Sequence, residues 1–199
     1  MNHYYNNNIN LKSNEVQFDY TYDGKRLTFK SDNGVFSKDR VDFGSNVLIN
    51  SLPDLSAAKN ILDVGCGVGV IGICLKSKYN ATNVLMIDVN ERAIKLANDN
   101  IKLNKLDNIE CIKSNLYENV IGDFDVIISN PPIRAGKEIV HGVVQKGYDH
   151  LKENGRIYIV IQKKQGASSM EKKMLEVFGN VKTIEKKNGY FVFESMKNN

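Results

Sequence analysis

The sequence predicts an α/β fold of the doubly wound type. Its sheet is mostly parallel and seven-stranded with one antiparallel strand, and a small N-terminal hairpin and helix precede it. Three observations predict this. From residue 59 onward, short apolar runs alternate with stretches of helical periodicity, the rhythm of strands joined by crossover helices. The run "NILDV" leads into "GCGVG" and then an apolar helix, the arrangement of a ligand-binding first turn in such sheets. The chain closes with two strand-like runs around Asn188-Gly189, a tight-hairpin signal that forces one antiparallel strand at or near an edge.

Residues 1–14 are rich in asparagine and lack apolar periodicity, so a disordered tail is expected there. The stretch has no apolar core segment and does not read as a signal peptide. A single domain over 15–199 follows, with 15–58 as an N-terminal cover and 59–199 as the core. Val16, Phe18, Tyr20 and Tyr22 alternate, Asp23-Gly24 makes a turn, and Leu27 and Phe29 resume the pattern; this is a hairpin. Val41 to Leu52 reads as a short helix. In the core, strand "NILDV" precedes a helix from Val70 to Lys76, and strand "NVLMID" a helix over 90–104. Strands "IECIKS" and "FDVIIS" come next, then a helix over 138–151, strand "RIYIVIQ" and a helix over 168–178.

The totals exclude several classes. The chain has 199 residues, 42% hydrophobic and 25% charged, an ordinary globular composition. No apolar run approaches the ~20 residues of a membrane span. Cys66, Cys74 and Cys111 show no CxxC spacing, which favours a reducing, cytoplasmic setting. His3, His141 and His150 form no metal pattern with them, so no metal is expected. The net charge of +4 is compatible with a nucleic-acid partner.

Asn130-Pro131-Pro132 comes directly after the apolar run Val126-Ile127-Ile128. Proline lacks an N–H, fixes φ and keeps the preceding residue out of the helical region. The chain therefore leaves a buried strand through a rigid, extended corner headed by an amide. Such a corner can simply end a strand, or it can hold Asn130 still for chemistry. The loop Gly65-Cys66-Gly67-Val68-Gly69 has Val70 where a dinucleotide fingerprint has its third glycine. Asp63, two residues before the loop, suits a cationic or zwitterionic ligand better than a pyrophosphate. Asp88 ends "VLMID" 25 residues later, with Val89 beside it. A carboxylate there either accepts from ribose hydroxyls or caps the next helix. Asn115 lies at the following strand end, where its amide reads an adenine edge or simply serves a turn.

Taken together, "ILDVGCGVGVIGICL", "MIDVNERAIKLANDN" and "ISNPPI", in this order, resemble the class I S-adenosylmethionine-dependent methyltransferases. "GVFSKDRVDFGSNVLI", "NPPIRAGKEIVH" and "VIQKKQGA" resemble, more narrowly, the small stand-alone relatives of the ribosomal small-subunit guanine-N2 methyltransferases. The resemblance covers about Gly34 to Ser195. It implies a Rossmann-like fold, S-adenosylmethionine as cofactor, RNA as partner, and a cofactor cover containing Phe36, Ser37, Asp42 and Gly44. The full-length ribosomal enzymes carry a second, degenerate domain for which this length leaves no room. Many amino-nitrogen methyltransferases also have an aromatic ring where this chain has Ile133.

The chemistry such a resemblance implies suits the Asn-Pro-Pro corner. An exocyclic amine is a poor nucleophile because its lone pair is delocalised into the ring. Asn130 Oδ1 and the Pro131 carbonyl can accept its two N–H bonds and localise that pair, with Pro132 stiffening the corner and Ile133 packing on the base. Orientation and fixed dipoles then do most of the catalysis. Methylation of guanine N2 in ribosomal RNA is the expected activity. A protein glutamine amide is the alternative acceptor, and a non-catalytic module that keeps the fold is the third reading. His141 reads as a surface or capping residue. Lys163-Lys164 read as solvated lysines or phosphate contacts.

Overall fold

The computed structural model describes residues 12–198. A hairpin of β1 (Val16–Tyr22) and β2 (Lys25–Ser31) precedes α1 (Phe43–Ser51). The core then runs β3 (Asn60–Val64), α2 (Val70–Lys78), β4 (Asn83–Asp88), α3 (Glu91–Leu103), β5 (Ile109–Lys113) and β6 (Phe124–Ser129). It continues with α4 (Lys137–Gly147), β7 (Leu151–Gln162), α5 (Ala167–Phe178), β8 (Lys182–Lys187) and β9 (Tyr190–Met196).

The seven core strands are ordered β5-β4-β3-β6-β7-β9-β8. All neighbouring pairs are parallel except those of β9, which runs antiparallel to both β7 and β8. The single antiparallel strand is therefore one place in from the edge, as the Asn188-Gly189 turn required. Successive residues point to opposite faces of the sheet. Ile61, Met86, Val126, Ile128 and Val160 pack on the side of α1, α2 and α3. Leu62, Ile87, Ile127, Ile159 and Phe193 pack on the side of α4 and α5. Burial on both faces explains why these strands read as continuous apolar runs.

The N-terminal hairpin is held by two asparagines one turn apart, Asn100 on α3 and Asn104 at its C-cap. Asn104 accepts from the Thr28 N–H (3.0 Å) and donates to the Thr28 carbonyl (2.7 Å). Asn100 does the same for Lys30, at 2.7 and 3.0 Å, and also donates to the Val68 carbonyl at 2.9 Å. These side chains satisfy backbone groups that an edge strand would otherwise leave open.

One expectation needs correction. The helix expected over 138–151 ends at Gly147, and β7 starts at Leu151 rather than Arg156. Leu151 is buried and pairs with Phe124, and residues 152–155 form a bulge with Asn154 at φ 62°; apolar pairing across the sheet outweighs continuation of the helix. The expected tail over 1–14 lies mostly outside the described residues, but its last part is bonded. The Asn14 N–H donates to Asp32 Oδ1 at 2.6 Å, and Asn33 Nδ2 donates to the Lys12 carbonyl at 3.0 Å.

Candidate active site

From β3 the chain steps to β4 and β5 on one side, then returns to β6 and β7 on the other. The reversal leaves a crevice outside the carboxyl ends of β3 and β6, where open α/β sheets bind ligands. A cleft of about 480 Å³ opens there. Its wall includes Gly65, Cys66 and Gly67 after β3, Asp88 at the end of β4 with Val89 after it, and Asn130 to Ile133 after β6. Phe36 and Ser37 of the cover line it too.

The loop after β3 takes its shape from backbone bonds. Gly65, Gly67 and Gly69 have φ of 73°, 56° and 89°, a region open to glycine at little cost. The Gly65 and Cys66 N–H groups donate to the Ile87 carbonyl at 2.9 and 3.0 Å. No atom lies within 4 Å of where a Cβ on Gly67 would stand, so a ligand can approach the backbone there. Gly69 is off the wall: a Cβ there would meet Ile73, Met86 and Ala97 at 3.2 to 3.3 Å. Packing accounts for that glycine.

Asp88 holds the rim of the loop. Its Oδ2 accepts from the Gly67 N–H at 2.9 Å and its Oδ1 from the Asn90 N–H at 2.9 Å. The cap of α3 is Asn90, not Asp88. A carboxylate has about four acceptor positions, so Asp88 keeps capacity to accept from a ligand. Burial pushes its pKa up, against the opposing pull of these N–H groups.

Asp63 does not line the cleft. It is fully buried behind the loop, where Oδ2 accepts from the Gly72 N–H of α2 at 3.0 Å and Oδ1 has no partner. Burial pushes its pKa up to about 7. Strand alternation decides this placement: Asp63 faces α2, and Leu62 and Val64 face the other side. Its contact is thus with the helix that the loop opens.

Asn130 is set by two partners at the start of α1, the cap residue Asp42 and Ser45. Its Nδ2 donates to Asp42 Oδ2 at 2.9 Å and lies 3.0 Å from Ser45 Oγ. Asp42 also caps α1 by accepting from the Ser45 N–H at 3.1 Å. A carboxylate only accepts, so Asp42 fixes which end of the amide it meets. The Asn130 Oδ1 is then directed away from α1. Pro132 supports the glycine loop, with its Cδ 3.5 Å from where a Cβ on Gly65 would stand. Ser129 Oγ ties the end of β6 to the Val64 carbonyl at 2.7 Å.

Other candidates separate. Gly44 lies off the wall, beneath the ring of Tyr190. Asn115 is exposed, and its Nδ2 donates to Glu118 Oε1 at 2.9 Å; it serves the turn. His141 sits off the wall with Nε2 3.1 Å from Ser169 Oγ, bridging α4 and α5. Lys163-Lys164 occupy a short 3₁₀ turn after β7, and only their neighbours Gln162 and Gln165 line the cleft. Sequence reasoning missed the pairing of Asp42 and Ser45 with Asn130, and it missed Tyr190, Lys38 and Arg134 on the wall. The helix-cap spacing of Asp42 and Ser45 was a legible signal; their contact 85 or more residues away was not. Among the described residues no cluster of His, Cys, Asp or Glu fits a metal ion, and no helix is long and apolar enough to cross a membrane.

The donor set fits an uncharged or cationic ligand with vicinal hydroxyls: an open glycine backbone, and a carboxylate with spare acceptor capacity one strand away. Comparison with known proteins gives a family, two relatives and two solved structures. The family model described as "methyltransferase small domain" matches residues 26–194. An uncharacterised protein, YbxB of Bacillus subtilis, is 45% identical over 98% of both chains. Ribosomal RNA small subunit methyltransferase C of Photobacterium profundum is 34% identical over 69% of this chain, which spans only 41% of that protein's length. Among solved structures, a T. thermophilus 16S rRNA N2 methyltransferase in complex with AdoMet and guanosine superimposes with TM-score 0.84 and 22% identity. It covers 92% of this chain, and this chain 51% of it. A ribosomal protein L11 methylase of Lactobacillus delbrueckii also shares the fold, with TM-score 0.65 and 23% identity over 78% of each chain.

Proposed function

The chain belongs to the methyltransferase small domain family, and from that premise we propose that it is an S-adenosylmethionine-dependent N-methyltransferase acting on guanine N2 of ribosomal RNA. The observation that carries this reading is Asn130, an amide whose donors are anchored by Asp42 and Ser45 at the rim of a ligand cleft. The matching of the rRNA methyltransferases over most of this chain supports the substrate class.

S-adenosylmethionine supplies, when bound, an electrophilic methyl group on a sulfonium. Asp88 would hold its ribose hydroxyls, the Gly65–Gly67 backbone would lie along it, and Phe36 and Ser37 would cover it. Asn130 Oδ1 accepts one N–H of the target amine and the Pro131 carbonyl the other. That localises the nitrogen lone pair and leaves it free to attack. Once alkylated, the nitrogen is cationic and acidic, so its extra proton leaves to water without a dedicated base. Asp42 keeps the Asn130 amide in the accepting orientation, and no reorganisation is needed at the moment of reaction. A base within a helix has to be flipped out to reach the corner. Lys38 and Arg134 on the wall suit a polyanionic substrate. With ribosomal RNA as substrate, the proposed location is the cytoplasm.

The test is transfer of labelled methyl to rRNA and to partly assembled small subunits, followed by nucleoside analysis. N2-methylguanine is the expected product. Label on a glutamine side chain would move the activity to a protein substrate, and no transfer to any acceptor would leave a binding module.

A further inference from the structure

The residue after Pro132 is aliphatic, so the corner itself offers the target base no π surface. A ring does line the same cleft from another strand. Tyr190 is the first residue of β9 and stands opposite Gln162 at the end of β7. It is held rigidly. Asn188 and Gly189 have φ of 47° and 79°, the left-handed pair of a tight hairpin whose twist matches its strands. The Lys163 N–H donates to the Gly189 carbonyl at 2.7 Å, which ties the turn to the segment after β7.

The ring also has a defined seat. A Cβ on Gly44 would lie 2.9 Å from Tyr190 Cε1 and 3.0 Å from Asp42 Oδ2, so ring, glycine and carboxylate meet at one point. Phe43 packs on the ring, with centroids 5.3 Å apart and planes inclined at 58°. The same Asp42 oxygen holds Asn130 Nδ2 at 2.9 Å. Tyr190 and Asn130 therefore flank one carboxylate and line one end of one cleft. The Tyr190 hydroxyl has no hydrogen-bond partner among the described residues, so the ring is placed by packing. Phe36, the other aromatic on the wall, belongs to the cover segment that is tied to α3. Its neighbours Asn33 and Gly34 accept from Arg92 (2.7 Å) and Asn90 (3.1 Å) at the start of α3.

We infer that Tyr190 is the stacking platform for the target base, a purine that lies against its ring while its exocyclic amine meets Asn130. This rests on reading the cleft as a base-methylating site. A ring delivered from β9 replaces one that would otherwise follow the Pro-Pro corner. It also explains the glycine at position 44, since any side chain there would displace the ring. Stacking is tolerant of base identity, so Tyr190 sets affinity and angle and leaves the choice of base to hydrogen bonds.

The test measures the KM of rRNA and the binding of guanosine to protein saturated with S-adenosylhomocysteine. Tyr190→Leu should weaken both by roughly 5- to 150-fold, the range of base–aromatic stacking. Tyr190→Phe should stay near wild type, and S-adenosylhomocysteine affinity should be unchanged in both. In the wild-type protein, guanosine H8 should shift upfield in NMR on binding, a ring-current effect that needs no variant. Unchanged guanosine and rRNA parameters in Tyr190→Leu, or an equal loss in Tyr190→Phe, would overturn stacking and leave the methyltransferase reading intact. Wild-type protein that neither binds guanosine nor methylates rRNA would overturn that reading and stacking with it.

Discussion

Asp63 should make the free protein lose stability as pH rises. Its carboxyl is fully buried, only Oδ2 is hydrogen-bonded, and burial pushes its pKa from the ordinary 3.8 up to about 7. A folded-state pKa above the unfolded one means that the native state binds the extra proton between these values. Stability from this group is thus full below about pH 4 and lost as pH rises to about 7, where it levels off. At 1.36 kcal/mol per pKa unit, the shift amounts to roughly 4 kcal/mol at most. Asp63→Asn keeps an acceptor for the Gly72 N–H and carries no charge. Urea denaturation of both proteins from pH 4 to 8 gives a difference curve in which the variant gains relative to wild type from pH 4 to 7 and then runs flat. Taking the difference cancels the carboxylates remote from Asp63 and retains only its coupling to Asp88, whose charge helps to raise the Asp63 pKa. Asp19, lowered by its Arg26 hydrogen bond, and Asp54, lowered by Ser56, act only at more acid pH. Parallel curves for the two proteins over pH 4 to 7 would refute the reasoning and return Asp63 to an ordinary pKa.

Asn130→Ala should cut single-turnover methyl transfer by about 10²–10³ with cofactor affinity retained. It should also lose ~1–3 kcal/mol with its two side-chain bonds, a fall of about 2–10 °C in Tm; full activity in a folded variant would reduce the corner to a turn. Asp88→Ala should weaken S-adenosylhomocysteine binding by about ten- to a hundredfold in calorimetry, the worth of hydrogen bonds to a charged group. Equal binding would remove Asp88 from the site. Gly72→Ala should destabilise by ~1–3 kcal/mol in urea despite alanine's better helix propensity, because the added Cβ would lie 2.5 Å from Met86 Sδ. A variant as stable as wild type would show that Met86 moves aside freely.

The order of strands and helices was legible because apolar period and turn chemistry are local properties. Asp23-Gly24 and Asn188-Gly189 lie at the two hairpin turns, with all four residues at positive φ. Boundaries were less legible. The helix before β7 stops at Gly147 because Leu151 pairs with Phe124, a contact 27 residues away that no local pattern reports. The fate of residues 12–14 depends likewise on Asp32 and Asn33, which the fold brings alongside.

The site divides along the same line. By itself the sequence determined the glycine loop, Asp88 at a strand end and the stiff Asn-Pro-Pro corner, because each is a short motif whose backbone constraints travel with it. Only the tertiary structure decided which way each side chain faces. It turned Asp63 behind the loop, took Gly69 and Asn115 off the wall, and brought Asp42, Ser45 and Tyr190 around Asn130. Those contacts join α1, β6 and β9, segments 60 to 148 residues apart. Their geometry follows from how the sheet is wound and how α1 packs across it, and a linear pattern carries no information about either.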